Sequence, residues 1–139
     1  ITYFYAKEKY WQSAFKRFLA RSNNIILMDI NKDLKVSLQK MAEVLRKGRN
    51  LIIFPEGTRT NDGTLGQFRQ TFAILASELN VPVVPVAIQG AYEALPGGSF
   101  FPRLFKRITV KFMEPVYPEK LSYDELMEKV QNIVAGQLN

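Results

Sequence analysis

The sequence predicts an α/β fold in which a mostly parallel sheet is flanked by helices, and three observations carry the prediction. Short β-branched and apolar runs alternate with segments whose apolar residues recur at helical spacing. Those helical segments run about three turns, the length a right-handed βαβ crossover needs. The 139 residues, 47% apolar and 23% charged, are enough for one packed core and too few for two, so residues 1–139 are expected to form a single domain.

Residues 1–6 read as a short apolar strand. Trp11, Ala14, Phe15, Phe18 and Leu19 then fall at i, i+3, i+4, i+7 and i+8, an amphipathic helix whose other face carries Lys9, Lys16 and Arg17. Residues 25–28 form a buried-strand run, ended by residues 29–33, whose polar side chains can cap the next helix. Leu34, Leu38, Met41, Ala42 and Leu45 make the stripe of that helix, which Gly48 stops. A buried strand at 51–54 breaks at Pro55 into a polar, turn-rich loop at 56–63. Phe68, Phe72, Leu75, Ala76 and Leu79 define another helix, ended near Asn80, and residues 83–88 read as another buried strand. After a long loop at 89–106, Ile108, Val110 and Phe112 alternate with Arg107, Thr109 and Lys111, the mark of a strand near a sheet edge with one wetter face. Ser122 and Glu125 form a capping box that opens a last helix, with Leu126, Val130, Ile133 and Val134 as its buried stripe.

Composition removes several chemistries. The chain has no cysteine, which excludes a disulfide framework, a thiolate zinc site and a cysteine nucleophile. It has no histidine either, and so lacks the usual neutral-pH general base and the commonest metal ligand. The net charge of +6 is uneven: residues 1–21 carry +4 and residues 101–111 another +4, leaving −2 for the rest. Two basic segments on a mildly acidic body suggest a surface that meets phosphate. The longest apolar runs fall well short of the about 20 residues of a membrane-crossing helix, so membrane contact is expected to be peripheral. The sequence begins at Ile1, with no signal-peptide pattern, and is expected to be part of something longer, its amino-terminal portion missing.

In open α/β sheets ligands bind beyond the carboxyl ends of the strands, and the loops at 29–33 and 56–63 both leave such ends. In the second loop Glu56 and Arg59 flank Gly57 and Thr58. A turn of this kind can aim backbone N–H groups, a hydroxyl and the planar fork of an arginine at one tetrahedral anion. Glu56 would orient Arg59 or meet a substrate hydroxyl. The competing reading is a surface turn with an incidental ion pair, worth about 0–1 kcal/mol.

Phe54-Pro55-Glu56-Gly57-Thr58-Arg59-Thr60 resembles the third signature block of the glycerolipid acyltransferase family, which is 1-acylglycerol-3-phosphate acyltransferase-like. Val81-Pro82-Val83-Val84-Pro85-Val86 is similar to its fourth block, and Phe68-Arg69 to a Phe-Lys pair between the two. The resemblance covers nearly the whole chain. It implies transfer of an acyl group from acyl-CoA or acyl-carrier protein to a hydroxyl of a glycerol-phosphate or lysophospholipid acceptor, with no metal and no cofactor. It implies that Glu56, Gly57, Thr58 and Arg59 bind the acceptor, Arg59 on its phosphate. In the family a His-x-x-x-x-Asp block upstream supplies the general base; with no histidine here, that block is expected to precede Ile1 and these residues to be inactive without it. The second family block, apolar residues followed by Asp-Arg, is similar to Leu27-Met28-Asp29-Ile30, but Ile30 replaces the arginine. Either Lys32 supplies that cation, or the acceptor depends less on a second phosphate contact.

Residues 100–107 join Phe100, Phe101 and Phe105 to Arg103, Lys106 and Arg107. That mixture suits a lipid headgroup layer or the 3′-phosphate of coenzyme A; alternatively its aromatics fold back over the core. The resulting expectation is a peripheral protein at the cytoplasmic face of a membrane. Two other classes compete: a noncatalytic lipid or acyl-carrier-binding domain, and a nucleic-acid-binding module motivated by the pI of about 9.6. No RNP, KH or helix-turn-helix pattern accompanies that charge, so nucleic acid is not expected as a partner.

Overall fold

A computed structural model describes residues 2–7, 25–28, 34–96, 99 and 101–138. The helix expected around Trp11 to Leu19 lies outside the described residues, as do Ile30, Lys32 and Phe100. The chain divides into two compact units, Ile1–Phe54 and Pro55–Asn139.

The first unit holds strands β1 (Thr2–Lys7) and β2 (Ile25–Met28), helix α1 (Leu34–Arg46) and strand β3 (Asn50–Ile52). Its sheet has the order β2-β1-β3 and is parallel throughout, with Phe4 opposite both Ile25 and Ile52. Parallel pairing puts Met28 and Ile52, the carboxyl ends of β2 and β3, on one rim of this sheet, as the alternating pattern predicts. Helix α1 packs on β3 and buries Ser37, Met41 and Ala42. Its buried face is turned from the expected stripe, since Leu34 is exposed and Ser37 is not. Gly48 ends the helical segment, its N–H bonding to the Leu45 carbonyl at 2.9 Å. Beyond it, the Arg49 guanidinium lies 5.4 Å from the Tyr3 ring centroid and donates to the Tyr3 hydroxyl, fastening the start of β3 to the start of β1. Strand β3 is shorter than the expected 51–54 and less buried. Ile52 and Phe54 are exposed, and Pro55, without an N–H, cannot extend the ladder.

The second unit holds α2 (Thr71–Leu79), β4 (Val86–Gln89), the short α3 (Ala91–Ala94), β5 (Thr109–Phe112) and α4 (Tyr123–Ala135). Here β4 and β5 pair antiparallel, with Val86 opposite Phe112 and Ile88 opposite Val110. The segment between them contains a helix of only one turn, too little for a crossover, so the chain doubles back. The strand expected over 83–88 is split. Val83 makes a separate antiparallel bridge to Val116, while Pro85 has no N–H to give and offers only its carbonyl, to Met113 at 3.0 Å.

The core of this unit is the contact of α2 with α4 and of α4 with β4. Phe68, Phe72, Leu75 and Ala76 are buried as their spacing predicts, with the Phe68 and Phe72 rings edge to face at 6.3 Å. Phe68 nevertheless precedes the helix, which begins at Thr71. Asn80 takes the left-handed conformation that closes α2. The Ser122–Glu125 capping box is present in full, and Leu126, Val130 and Val134 are buried below it. Helix α4 packs on β4, where Ala87 is 1% exposed. On the other face Val84, Ile88 and Val110 are exposed and Phe112 is 75% exposed. The apolar side of β5, expected to be its dry side, is therefore exposed, and within 83–88 only Pro85 and Ala87 are buried.

Candidate functional site

The polar loop that follows β3 is closed by its own backbone: the Arg69 N–H donates to the Pro55 carbonyl at 3.0 Å. Three further links fix its path. The Glu56 carboxylate accepts the Gly66 N–H at 2.7 Å, ten residues along. The Phe68 N–H donates to Gln131 Oε1 on α4 at 3.0 Å. The Tyr92 hydroxyl of α3 donates to the Asn61 carbonyl at 2.9 Å, and its ring lies against Gly63.

Between these links the tip is tied by a local network. Asp62 Oδ1 accepts from the Thr64 hydroxyl at 2.7 Å, the Thr64 N–H at 2.9 Å and the Thr60 hydroxyl at 2.9 Å. Those bonds, the Thr64 pair foremost, hold the exposed Asp62 carboxyl at about 2, below its usual 3.8. The Thr60 oxygen in turn accepts the Gly63 N–H at 3.1 Å.

Gly57 sits at φ +71°, in the left-handed region. A Cβ there would stand 3.1 Å from Nε and 3.2 Å from Cζ of Arg69, so the guanidinium of Arg69 rests directly on the Gly57 backbone. Arg59 and Arg69 are both exposed, and neither pairs with a carboxylate among the described residues. The Thr58 hydroxyl reaches the Arg59 carbonyl only at 3.5 Å, the limit of a hydrogen bond, which leaves it free for a stronger partner. Of the two roles expected of Glu56, the pair with Arg59 does not form, and one carboxylate oxygen is engaged at Gly66.

Of the residues that the sequence singles out, Glu56, Gly57, Thr58 and Arg59 are therefore together on one braced turn, with Glu56 shaping the loop. Lys32 lies outside the described residues. Arg69 is the residue that sequence reasoning left without a role. Its signal was the Phe68-Arg69 pair, in which a buried aromatic fixes the neighbour that reaches back to Gly57. The loop therefore carries a left-handed glycine, a weakly bonded hydroxyl and two guanidinium groups with no carboxylate partner among the described residues, groups of the kind that bind oxyanions. Among the described residues no group of three His, Cys, Asp or Glu side chains could hold a metal ion, and no helix is long and apolar enough to cross a membrane. A shallow groove elsewhere in this unit, lined by Val116, Leu121 and Ile133 among others, shares no residue with the loop.

Comparison with known proteins bears on the same residues. A family model described as Acyltransferase matches residues 1–89, from β1 through the whole braced loop to the end of β4. The chain belongs to the glycerolipid acyltransferase family. It is 33% identical over 102 residues to the chloroplastic 1-acyl-sn-glycerol-3-phosphate acyltransferase BAT2 of Brassica napus, covering 73% of this chain and 29% of that protein. It is 32% identical over 117 residues to the lyso-ornithine lipid O-acyltransferase of Pseudomonas aeruginosa, covering 73% of this chain and 45% of that one. Among solved structures it is similar to the 1-acyl-sn-glycerophosphate (LPA) acyltransferase of Thermotoga maritima, with a TM-score of 0.82 and 31% identity over 98% of this chain and 55% of the other. The chain thus spans less than half the length of these two curated acyltransferases.

Proposed function

We propose that this chain is the acceptor-binding part of an enzyme that moves an acyl group from a coenzyme A or acyl-carrier-protein thioester to a hydroxyl of a glycerol phosphate or lysophospholipid. In that reaction the acceptor oxygen forms a bond to the acyl carbon, the carbon–sulfur bond breaks, and the hydroxyl proton passes through a base to the departing thiolate. The observation that carries the reading is the Gly57–Arg59 turn, held by the Glu56–Gly66 and Arg69–Pro55 hydrogen bonds, with Arg59 and Arg69 without acidic partners among the described residues. Loop order fixed in advance lowers the cost of binding, and unpaired cations are what a phosphate needs.

In this reading Arg59 holds the acceptor phosphate and the Gly57 turn and Thr58 hydroxyl complete its cradle. Glu56 acts through the loop, by holding Gly66. Arg69 is the second cation of this loop, and Lys32 is the other candidate that the sequence offers. No residue of these 139 is an imidazole, so the proton acceptor comes from outside them. The enzyme is further proposed to work at a membrane surface, on its cytoplasmic face.

The test is acyl transfer by the protein carrying its upstream block, followed as thiol release from acyl-CoA and from acyl-carrier protein. Arg59→Ala is expected to raise the acceptor KM with little change in that of the donor, and Arg69→Ala to do so more than Lys32→Ala. The 139 residues assayed without an upstream block are expected to bind acceptor and release no thiol above background. Turnover by them would contradict the missing-base mechanism. A second acceptor class has its own support: Ile30 stands where the family resemblance expects a phosphate-binding arginine, and a relative is named for a lyso-ornithine lipid. An ornithine headgroup offers a carboxylate, which the same arginines can hold. Parallel assays with lysophosphatidic acid and lyso-ornithine lipid decide between them.

A further inference from the structure

We propose that the turn formed by residues 101–107 is a membrane anchor, with an apolar tip that enters an anionic bilayer and cations at its base that hold lipid phosphates. Phe101 is 86% exposed, Leu104 76% and Phe105 103%. Single exposed apolar side chains are ordinary, but three within five residues make a patch that calls for a partner. The cations stand among them: Arg103, Lys106 and Arg107 are exposed, residues 101–111 contain no acid, and none of the three pairs with a carboxylate among the described residues.

Backbone geometry strengthens the case. Phe105 sits at φ +63°, a conformation that costs a bulky residue about 1–3 kcal/mol and that no burial of its ring offsets. The two sides of the turn are nonetheless fixed. The Arg103 N–H donates to the Ala94 carbonyl at 2.7 Å. On the other side the Arg107 carbonyl presses on Gly90, where a Cβ would stand 2.1 Å away. A bare apolar tip is thus presented from a held base, so inserting it costs little ordering. The occupant follows from the mixture. A soluble phosphate ligand would use the cations and leave three large apolar side chains in water, whereas a bilayer with anionic headgroups takes both. The turn lies beyond residue 89, where the match to the family model ends, and shares no residue with the loop at 55–69. The inference rests on the membrane-surface part of the proposed function and is independent of the transfer chemistry.

The experiment is cosedimentation of the protein with phosphatidylcholine vesicles, with and without phosphatidylglycerol. The unaltered protein is expected to pellet with the anionic vesicles. Leu104→Ser with Phe105→Asn, the asparagine chosen because it tolerates positive φ, should weaken partitioning by about tenfold or more. Arg103→Gln, Lys106→Gln and Arg107→Gln together should weaken it by about a hundredfold, at roughly fivefold per cation, and remove its salt dependence. Because the chain has no cysteine, Phe105→Cys can carry a single environment-sensitive fluorophore. Its emission should shift to the blue on anionic vesicles and be quenched by brominated acyl chains, which decides the matter even where a multiple variant fails to fold. Unchanged partitioning of either folded variant overturns the proposal. So does a label that stays in water on bound vesicles, or one that shifts without lipid as protein concentration rises, which would mean that a second copy covers the turn. Acyl transfer assayed in detergent reports on the proposed reaction separately, so failure of the anchor and failure of the enzyme reading are told apart.

Discussion

The two loops of the second unit are built on opposite plans. The loop from Pro55 to Arg69 ties down its polar groups: Glu56 on Gly66 and Asp62 on Thr60 and Thr64 within the loop, and the Asn61 carbonyl on Tyr92 of α3. Arg59 and Arg69 have no carboxylate partner among the described residues. The turn at 101–107 is fixed at its base, by Arg103 and Gly90, and leaves its largest apolar side chains bare. Both expose arginines, but the first surrounds them with hydrogen-bond donors and the second with Phe and Leu. The difference teaches that charge alone does not name a partner. The neighbours of the charge decide between a small anion held by geometry and a surface held by partitioning.

The contrast can be broken most sharply at Gly90. Alanine there must take φ near +81° with its Cβ inside the Arg107 carbonyl, and a loss of about 3 kcal/mol or more is expected from the denaturant midpoint. Phe105→Gly at the tip should instead be neutral or stabilising by up to about 1 kcal/mol, since it relieves a left-handed phenylalanine that touches nothing. Next in size is Arg59→Ala, which removes charge-assisted hydrogen bonds to the acceptor. It should lower kcat/KM for the acceptor by about ten- to a hundredfold in steady-state assays and leave vesicle binding unchanged. Glu56→Ala frees the Gly66 N–H and should cost about 1–2 kcal/mol in thermal or denaturant unfolding, with Glu56→Gln recovering part of it.

The smallest effect is on pH. Asp62 has a folded-state value of about 2, below its ordinary 3.8. Its bonds to Thr60 and Thr64 therefore contribute fully above about pH 4 and are lost as pH falls through about 2. Amide exchange at Thr64 should speed up across that window, and Asp62→Asn should flatten the response.

How much was legible in the sequence depends on how local each signal is. Residues 122–125 announce their capping box because every atom of it lies within one helical turn. The Phe72, Leu75 and Ala76 stripe is legible for the same reason. Strand burial was not, because periodicity says which residues share a face but not whether that face is covered. Val110 and Phe112 alternate correctly and are still exposed, while helix α4 packs on β4, where Ala87 is buried. Antiparallel pairing of β4 and β5 was hidden as well: it depends on a connection that forms only one turn of helix. In the candidate site the Gly57 turn was visible from composition. The carboxylate of Glu56 reaching Gly66 and the guanidinium of Arg69 resting on Gly57 were not, because both depend on how the loop folds back on itself.

The most direct measurement of the central claim is a backbone-amide NMR titration of the protein with sn-glycerol 3-phosphate, using oligonucleotide as a control anion. Saturable shifts confined to the Glu56–Arg59 turn, Gly66 and Arg69, abolished by Arg59→Ala and absent from residues 101–107, are the predicted result. Shifts centred on the basic turn at 101–107, or equal responses to oligonucleotide, would contradict an acceptor site built on the braced loop.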